Sequence, residues 1–220
     1  VSITVCYLLE RAVRISYLQR KLLGLENAFL QENNIQLRDE LLIDSLTHIT
    51  NRRGFDNAIA QEWDRALRNH YPLALILFDV DYFKQFNDSY GHQAGDACLT
   101  GIAAVPKSMI GRAGDSVARY GGEEFIVTLI GTSLEDARLF AEDMCERVME
   151  LSIPHKSSQV ADVVTISCGV AAIVPDQATR YEDLIKLADN ALYESKRNGR
   201  NRVTCASPSP KKDNINKKTA

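Results

Sequence analysis

Four carboxylates of this 220-residue chain fall in two short stretches whose spacing suits metal-assisted chemistry. Asp79 and Asp81 follow the apolar run Leu73–Phe78, and Glu123 and Glu124 follow two glycines in the stretch RYGGEEF. An ionised side chain at the end of a buried strand is costly unless it is solvated, paired or bound to a cation. If a hairpin folds beside that strand, three or four carboxylates meet, and hard divalent cations with oxygen ligands relieve their repulsion.

Such a cluster suits phosphoryl transfer. Two cations about 4 Å apart contact both the attacking and the leaving oxygens of the displacement. The two glycines would let a polyphosphate lie close to the backbone. The alternative is that these acids are solvated at a turn, where paired glutamates are common, and spacing alone leaves both interpretations open.

The composition limits the classes of protein to consider. The chain is 45% hydrophobic and 25% charged, with a net charge of −3, which is typical of a globular protein with one main core. A general nucleic-acid binder needs a basic surface, so no nucleic-acid partner is expected. The five cysteines form no C-x-x-C pair and the four histidines show no zinc spacing, which indicates a reducing cytoplasm and no structural metal.

The N-terminal part predicts a signalling helix. Because the chain begins with Val1 rather than Met, we expect a segment to precede it. The apolar stretch Val1–Leu9 is too short to span a bilayer. It fits either the cytoplasmic end of a membrane helix, which would tether the protein, or the first turns of an interaction helix. Apolar residues then recur every three or four positions, so residues 1–43 are predicted to be a dimerising coiled-coil stalk, with a single helix packed on the domain as the alternative.

Residues 44–204 are predicted to form one α+β domain, followed by a disordered basic tail at 205–220. Leu73–Phe78 is an unbroken apolar run and predicts a strand buried on both faces. Alternating segments on either side of Gly121 and Gly122 predict a β-hairpin with a two-residue primed turn at the glycines. Pro106 is expected to kink or shorten the helix that contains it.

Six motifs occur in the order in which one protein family has them. They are DSLTHITNRRGF, FDVDYFKQFND, GHQAGD, RYGGEEF, TISCGVA and LADNALYESKRNGRN. Together they resemble the GGDEF-domain diguanylate cyclase family in its GGEEF form. The resemblance implies an α+β, ferredoxin-like sheet flanked by helices, as in nucleotide cyclases and the polymerase palm. His48 stands where the family has a glycine, which puts the geometry of that turn in doubt.

The resemblance also implies an activity and a metal site. Enzymes of this family join two GTP molecules into cyclic di-GMP and release two pyrophosphates, with two Mg²⁺ or Mn²⁺ ions in each active site. By motif position, Asp79, the carbonyl of Val80, Glu123 and Glu124 would hold the metals. Glu123 would also be the general base for the 3′-hydroxyl.

Further residues are assigned to the substrate by the same resemblance. Lys84 would stabilise charge on the phosphates, and Lys196 and Arg200 would bind them from the last helix. Asn87 and Asp96 match the residues that recognise guanine. His92 matches a substrate-side residue, although a histidine packed under the loop is an equal alternative.

The implied reaction needs two domains, because each GTP attacks the other, so a homodimer is expected. Arg112 and Asp115 resemble the family's R-x-x-D site, where the product cyclic di-GMP binds and inhibits. We expect a cytoplasmic bacterial signalling enzyme, or one at the cytoplasmic face of the inner membrane. The alternatives are a catalytically silent module that binds GTP or cyclic di-GMP, and a coiled-coil assembly protein with a passive cap.

Overall fold

A computed structural model of the chain describes residues 14, 17, 20–22 and 42–206. The chain divides into two compact units, residues 1–43 and 44–220, and the elements below belong to the second. The predicted coiled-coil stalk and membrane-helix end, apart from residues 14, 17, 20–22, 42 and 43, lie outside the described residues, as does the predicted tail beyond residue 206. Within the described residues, none of the helices has the length and apolar character needed to cross a bilayer.

The second unit contains six strands and five helices among its described residues. The strands are β1 (Thr50–Asn51), β2 (Leu73–Val80), β3 (Ser116–Gly121), β4 (Glu124–Ile130), β5 (Ile166–Ile173) and β6 (Val203–Cys205). The helices are α1 (Arg52–Asn69), α2 (Phe83–Tyr90), α3 (His92–Met109), α4 (Leu134–Glu150) and α5 (Tyr181–Arg197).

The strands form one mixed sheet in the order β1-β3-β4-β2-β5-β6. Strand β2 lies in the middle and pairs antiparallel with both β4 and β5. The short outer strands β1 and β6 pair parallel with β3 and β5. All eight residues of β2 are buried, as the apolar run predicts. The α+β fold with helices around a central sheet is therefore confirmed.

Alternate residues of β2 face two separate cores. Ala74, Ile76 and Phe78 pack with apolar residues of α3 and α4. Leu73, Leu75 and Leu77 pack with apolar residues of α1 and α5. Because helices cover both faces of the sheet, β2 has no polar face, and its first ionisable residue is Asp79, next to the end of the strand.

Several local predictions need correction. The hairpin turn comes one residue later than predicted: Gly121 pairs with Glu124, so Gly122 and Glu123 form the loop, after an irregularity in the strand pairing between Arg119 and Gly121. Helix α3 is not shortened at Pro106 but continues to Met109. Strand β6 includes Cys205, which the sequence placed in the tail.

The turn before β1 has His48 in a backbone conformation that is unusual for a residue with a side chain. His48 has a φ of 53°, in the left-handed region that a glycine occupies without strain. The amide of His48 donates to the carbonyl of Asp44, and the Asp44 carboxylate accepts from the amide and the hydroxyl of Thr47. These hydrogen bonds hold the turn in place, so that histidine is tolerated there.

Candidate active site at the end of the central strand

Asp79 and the two glutamates are brought together by strand pairing. Asp79 is the next-to-last residue of β2 and lies directly opposite Glu124 of the neighbouring strand β4. Glu123 is the loop residue just before Glu124. Asp79 is 9% exposed, and Glu123 and Glu124 are half-buried. The hairpin therefore places both glutamates beside the end of the central strand, as the sequence predicts.

The turn that carries Glu123 is held by Arg119. The Arg119 guanidinium donates from Nε to the carbonyl of Gly122 at 2.9 Å. It also forms an ion pair with Asp44, with 3.2 Å between Nη1 and Oδ1. Gly122 has a φ of 53°, a backbone conformation that glycine adopts without the strain that a side chain would cause. Sequence reasoning did not single out Arg119 or Asp44, although both lie in motifs that it used.

Lys196 supplies the positive charge nearest to Asp79. Its Nζ lies 2.9 Å from Oδ2 of Asp79, so helix α5 points its last turn at the end of β2. The pKa of Asp79 is raised to about 6, mainly by burial and to a smaller extent by the negative charges of Glu123 and Glu124, although the hydrogen bond and the charge of Lys196 lower it. The charges of Glu123 and Glu124 act on Asp79, so the site has an excess of negative charge. The single positive charge of Lys196 does not neutralise it.

Asp81 does not join this cluster, contrary to the possibility left open by its spacing. Strand β2 ends at Val80, and the Asp81 side chain turns into the protein, where it is 1% exposed. Its carboxylate accepts hydrogen bonds from the hydroxyls of Thr165 and Ser167. The cluster next to β2 therefore consists of three carboxylates.

The predicted guanine-binding residues lie on helices α2 and α3. Asn87 is half-buried, and its Oδ1 has no hydrogen-bond partner although the atom is buried. His92 is exposed and begins α3, and Asp96 is exposed one turn later on the same helix. Because His92 is exposed, it is not packed under the loop. A buried acceptor without a partner is uncommon and suits a site that receives a ligand's donor.

The predicted phosphate-binding residues come from two elements. Lys84 is exposed in the first turn of α2. Arg200 follows the end of α5 and takes a left-handed φ of 62°. Its Cζ lies 4.4 Å from the ring centre of Tyr82, in a cation–π contact that the sequence did not suggest.

Arg112 and Asp115 line a cavity of about 360 Å³ at the start of β3. Its lining includes Met109, Leu129, Thr132, Asp136 and Phe140. Arg112 is exposed, whereas Asp115 is half-buried and its Oδ1 accepts from the amide of Ile130 at 2.8 Å. Asp115 therefore has a structural hydrogen bond that the sequence did not predict.

In the part of the chain that the structure describes, no three His, Cys, Asp or Glu side chains are arranged so that they could hold a metal ion as they stand. The oxygen donors at the end of β2 are nonetheless of the kind that Mg²⁺ and Mn²⁺ prefer. The ammonium of Lys196 against Asp79 stands in for part of the positive charge that the three acids need. The donor set thus fits a divalent cation, provided that the side chains rearrange when one binds.

Comparison with known proteins identifies the family. The family described as "Diguanylate cyclase, GGDEF domain" matches residues 41–202. The chain is 39% identical over 175 residues to diguanylate cyclase A of Treponema denticola, a match that covers 78% of this chain and 46% of that protein. The chain thus spans slightly less than half the length of that relative.

Solved structures agree with this result. The chain is similar to the coiled coil and GGDEF domain of DgcB from Caulobacter crescentus, solved in complex with c-di-GMP, with a TM-score of 0.73 and 31% identity over 82% of this chain and 94% of that one. It is also similar to the active GGEEF domain of a diguanylate cyclase from Vibrio cholerae, with a TM-score of 0.64 and 34% identity over 72% of this chain and 98% of that one. A family match over most of the chain, with the carboxylates of its motifs gathered at one end of the central strand, shows that this chain belongs to the GGDEF-domain diguanylate cyclase family.

Proposed function

We propose that residues 44–204 form a diguanylate cyclase domain that condenses two GTP molecules into cyclic di-GMP and releases two pyrophosphates. The observation that carries this proposal is the pairing of Asp79 with Glu124, with Glu123 at the adjoining turn. Two strands from distant parts of the sequence converge on one small acidic site, next to the cationic Lys196. An acidic site flanked by cations suits a metal-bound triphosphate.

Asp79, the carbonyl of Val80, Glu123 and Glu124 would hold two Mg²⁺ or Mn²⁺ ions in each active site. Bound there, the ions would supply positive charge to the triphosphate and promote ionisation of the attacking hydroxyl. A cation that binds Asp79 through Oδ2 would displace Lys196, because the ion pair occupies that oxygen. The freed ammonium would then be available to the phosphates.

The other roles follow from where each side chain lies. Glu123 accepts the proton of the 3′-hydroxyl, since a turn residue can approach the substrate from the end of the sheet. Lys84 and Arg200 approach from α2 and from the end of α5 and bind the phosphate oxygens. Arg200 can donate two parallel hydrogen bonds, and Lys84 provides a point charge.

Guanine is recognised by Asn87 and Asp96, with His92 on the substrate side. Guanine presents N–H donors at N1 and N2, which suit the acceptor oxygens of an amide and a carboxylate. The buried Oδ1 of Asn87, which has no partner, supports this assignment. A buried acceptor that is satisfied only by the correct base contributes to specificity as well as to affinity.

Gly95→Ala should raise the KM for GTP by about tenfold, because Gly95 makes room for the Asn87 amide. A Cβ at position 95 would lie 1.9 Å from Oδ1 of Asn87 and 3.0 Å from its Cγ, so the amide would have to move. Gly101→Ala in the same helix is the matched control. Its Cβ would meet side chains no nearer than 3.9 Å. The control should leave the KM unchanged and stabilise the helix. Steady-state kinetics measure both KM values, and equal values for the two variants would contradict the prediction.

One domain provides only half of the reaction, because each 3′-oxygen must attack the α-phosphate of the other GTP. We therefore propose that the active form is a homodimer with two-fold symmetry. A stalk at residues 1–43 would raise the effective concentration of the second domain. The cytoplasmic location, the membrane tether and the role in bacterial signalling stay predictions.

We also propose that cyclic di-GMP inhibits the enzyme through Arg112 and Asp115. The exposed Arg112 guanidinium can stack on guanine and donate to it. The remaining oxygen of Asp115 can accept from the guanine edge, while its Oδ1 holds the amide of Ile130. The cavity that these residues line makes this surface concave.

Arg112→Ala should relieve product inhibition, raising the inhibitory concentration of cyclic di-GMP by at least about tenfold while leaving the initial rate unchanged. Arginine is the better residue to replace, because removing Asp115 would also release the amide of Ile130. Arg68→Ala, an exposed change in the last turn of α1, serves as the control. Initial rates measured at increasing product concentrations check the prediction, and unchanged product sensitivity would remove the assignment.

The proposed function is tested by incubating the purified protein with GTP and Mg²⁺ and measuring both products. We expect cyclic di-GMP and pyrophosphate in a ratio of 1 to 2, with a specific activity that rises with protein concentration if the dimer is the active form. A silent binding module would bind GTP or cyclic di-GMP without turnover. Binding without any product at high protein concentration would favour that alternative.

A further inference from the structure

Asp81 is a buried carboxylate that the proposed chemistry does not use. It is 1% exposed, and it accepts hydrogen bonds from the hydroxyls of Thr165 at 2.7 Å and of Ser167 at 2.6 Å. The same Oδ2 that faces Thr165 also accepts from the backbone amide of Asn201 at 3.0 Å. A buried carboxylate is costly unless it is hydrogen-bonded, and these three donors satisfy it. Asp81 thereby joins the end of β2 to the loop that follows α5.

That loop has an unfavourable backbone. Arg200 and Asn201 are adjacent and both have positive φ values, 62° and 44°. Non-glycine residues in this region persist only where the surroundings hold them. Three contacts hold this pair from the β2 side. The Asp81 carboxylate accepts from the amide of Asn201, the ring of Tyr82 packs against the Arg200 guanidinium, and the Tyr82 hydroxyl accepts from Nη1 of Arg200 at 3.3 Å. The direction in which Arg200 leaves the backbone depends on this conformation.

We propose that Asp81 is a positioning residue, which fixes the loop at Arg200 and Asn201 so that the Arg200 guanidinium is aimed at the end of β2. In the context of the proposed function, on which this inference rests, Arg200 then meets the triphosphate without having to reorganise. Preorganisation of this kind lowers the cost of binding. Asp81 acts only through the loop and contacts neither substrate nor metal.

Asp81→Ala tests the proposal through two readouts. Exchange of the Asn201 amide hydrogen, measured by NMR without nucleotide, should accelerate by at least about tenfold, because the amide loses its acceptor. The KM for GTP should rise by about tenfold, with kcat changing by less than about threefold. Asp81→Asn keeps a side-chain oxygen and should recover most of both effects.

Two further variants separate positioning from general destabilisation. Ser167→Ala removes a hydrogen bond from the same carboxylate but leaves the oxygen that holds Asn201, so it should lower stability without raising the KM. In an Arg200→Ala background, Asp81→Ala should raise the KM no further, since its effect passes through Arg200.

The inference is overturned if Asp81→Ala leaves the Asn201 exchange rate at the wild-type value, if Ser167→Ala raises the KM as much, or if the two effects add in the double variant. If Asp81→Ala does not fold, the exchange rate of the Asn201 amide in the wild-type protein serves as the test. An amide that is not protected from exchange there would overturn the proposal. Because amide exchange needs no substrate, it tests the loop even if wild-type protein makes no cyclic di-GMP. That absence of product would count against the proposed function alone.

Discussion

Glu123→Gln is expected to abolish cyclic di-GMP synthesis, lowering kcat by on the order of a thousandfold or more. Glutamine keeps the size and shape of the side chain at the hairpin turn but cannot accept a proton at neutral pH. It also removes one negative charge from the proposed metal site. A single substitution therefore affects both the proton transfer and the binding of the cation, and product formation measured with saturating GTP and Mg²⁺ checks it.

The control for this prediction is Glu146→Gln, the same chemical change at an exposed position of helix α4. It should keep wild-type activity. Glu123→Gln should still fold, since Glu123 is only half-buried and lies in a two-residue loop. Retained synthesis in a folded Glu123→Gln protein would exclude Glu123 as the base and would move the chemistry elsewhere in the domain.

Asp79→Asn is expected to abolish activity and, at the same time, to stabilise the protein without metal at neutral pH. The pKa of Asp79 is raised to about 6 in the folded protein, with burial as the main cause. In the unfolded chain the carboxyl ionises at its ordinary, lower pKa. The folded state therefore binds the proton more tightly, and wild-type stability falls as pH rises from about 4 to about 6.

Above pH 6 Asp79 is ionised in the folded protein, and the burial of its charge lowers the free energy of unfolding by the full amount. Asparagine has no charge and avoids this loss. We expect Asp79→Asn to raise the free energy of unfolding by about 1 to 3 kcal/mol at pH 8, and by close to zero at pH 4. The gain is limited because Lys196 loses its ionic partner. Chemical denaturation in EDTA at both pH values measures the difference.

Asp64→Asn provides the control, because it removes the same charge at an exposed position of α1. Its effect on stability should be within about 0.5 kcal/mol of zero at both pH values. If Asp79→Asn were less stable than wild type at pH 8, the ion pair with Lys196 would outweigh the burial of Asp79. The acidic site would then be a structural salt bridge and not a site that is destabilised for the sake of function.

The features of the fold that depend on local pattern could be predicted from the sequence. The run Leu73–Phe78 is apolar at every position, so it had to be a strand covered on both faces, and Asp79 had to lie at its end. A glycine after a short amphipathic segment favours the end of a helix, and Gly91 ends α2 with a φ of 84°. The meeting of Asp79 with the glutamates followed from placing the hairpin beside this strand, and the antiparallel pairing confirms it.

The features that depend on distant residues could not be predicted. Asp81 turns inward because Thr165, Ser167 and Asn201 supply donors from more than eighty residues further along the chain. No local pattern distinguishes it from Asp79. The hairpin turn is shifted by one residue because the pairing of β3 with β4 is irregular near Arg119, and such an irregularity leaves no sure signal in the residue types.

The central claim is that the carboxylates of Asp79 and Glu123 bind the same divalent cations. Its most direct test is a measurement of Mn²⁺ binding, in which electron paramagnetic resonance detects the free Mn²⁺. The titration contains a non-hydrolysable GTP analogue, and a blank contains the analogue without the protein. We predict that Asp79→Asn and Glu123→Gln each weaken Mn²⁺ binding by at least about tenfold, while Glu146→Gln binds as wild type does. Wild-type affinity for Mn²⁺ in a folded Asp79→Asn protein would contradict the claim.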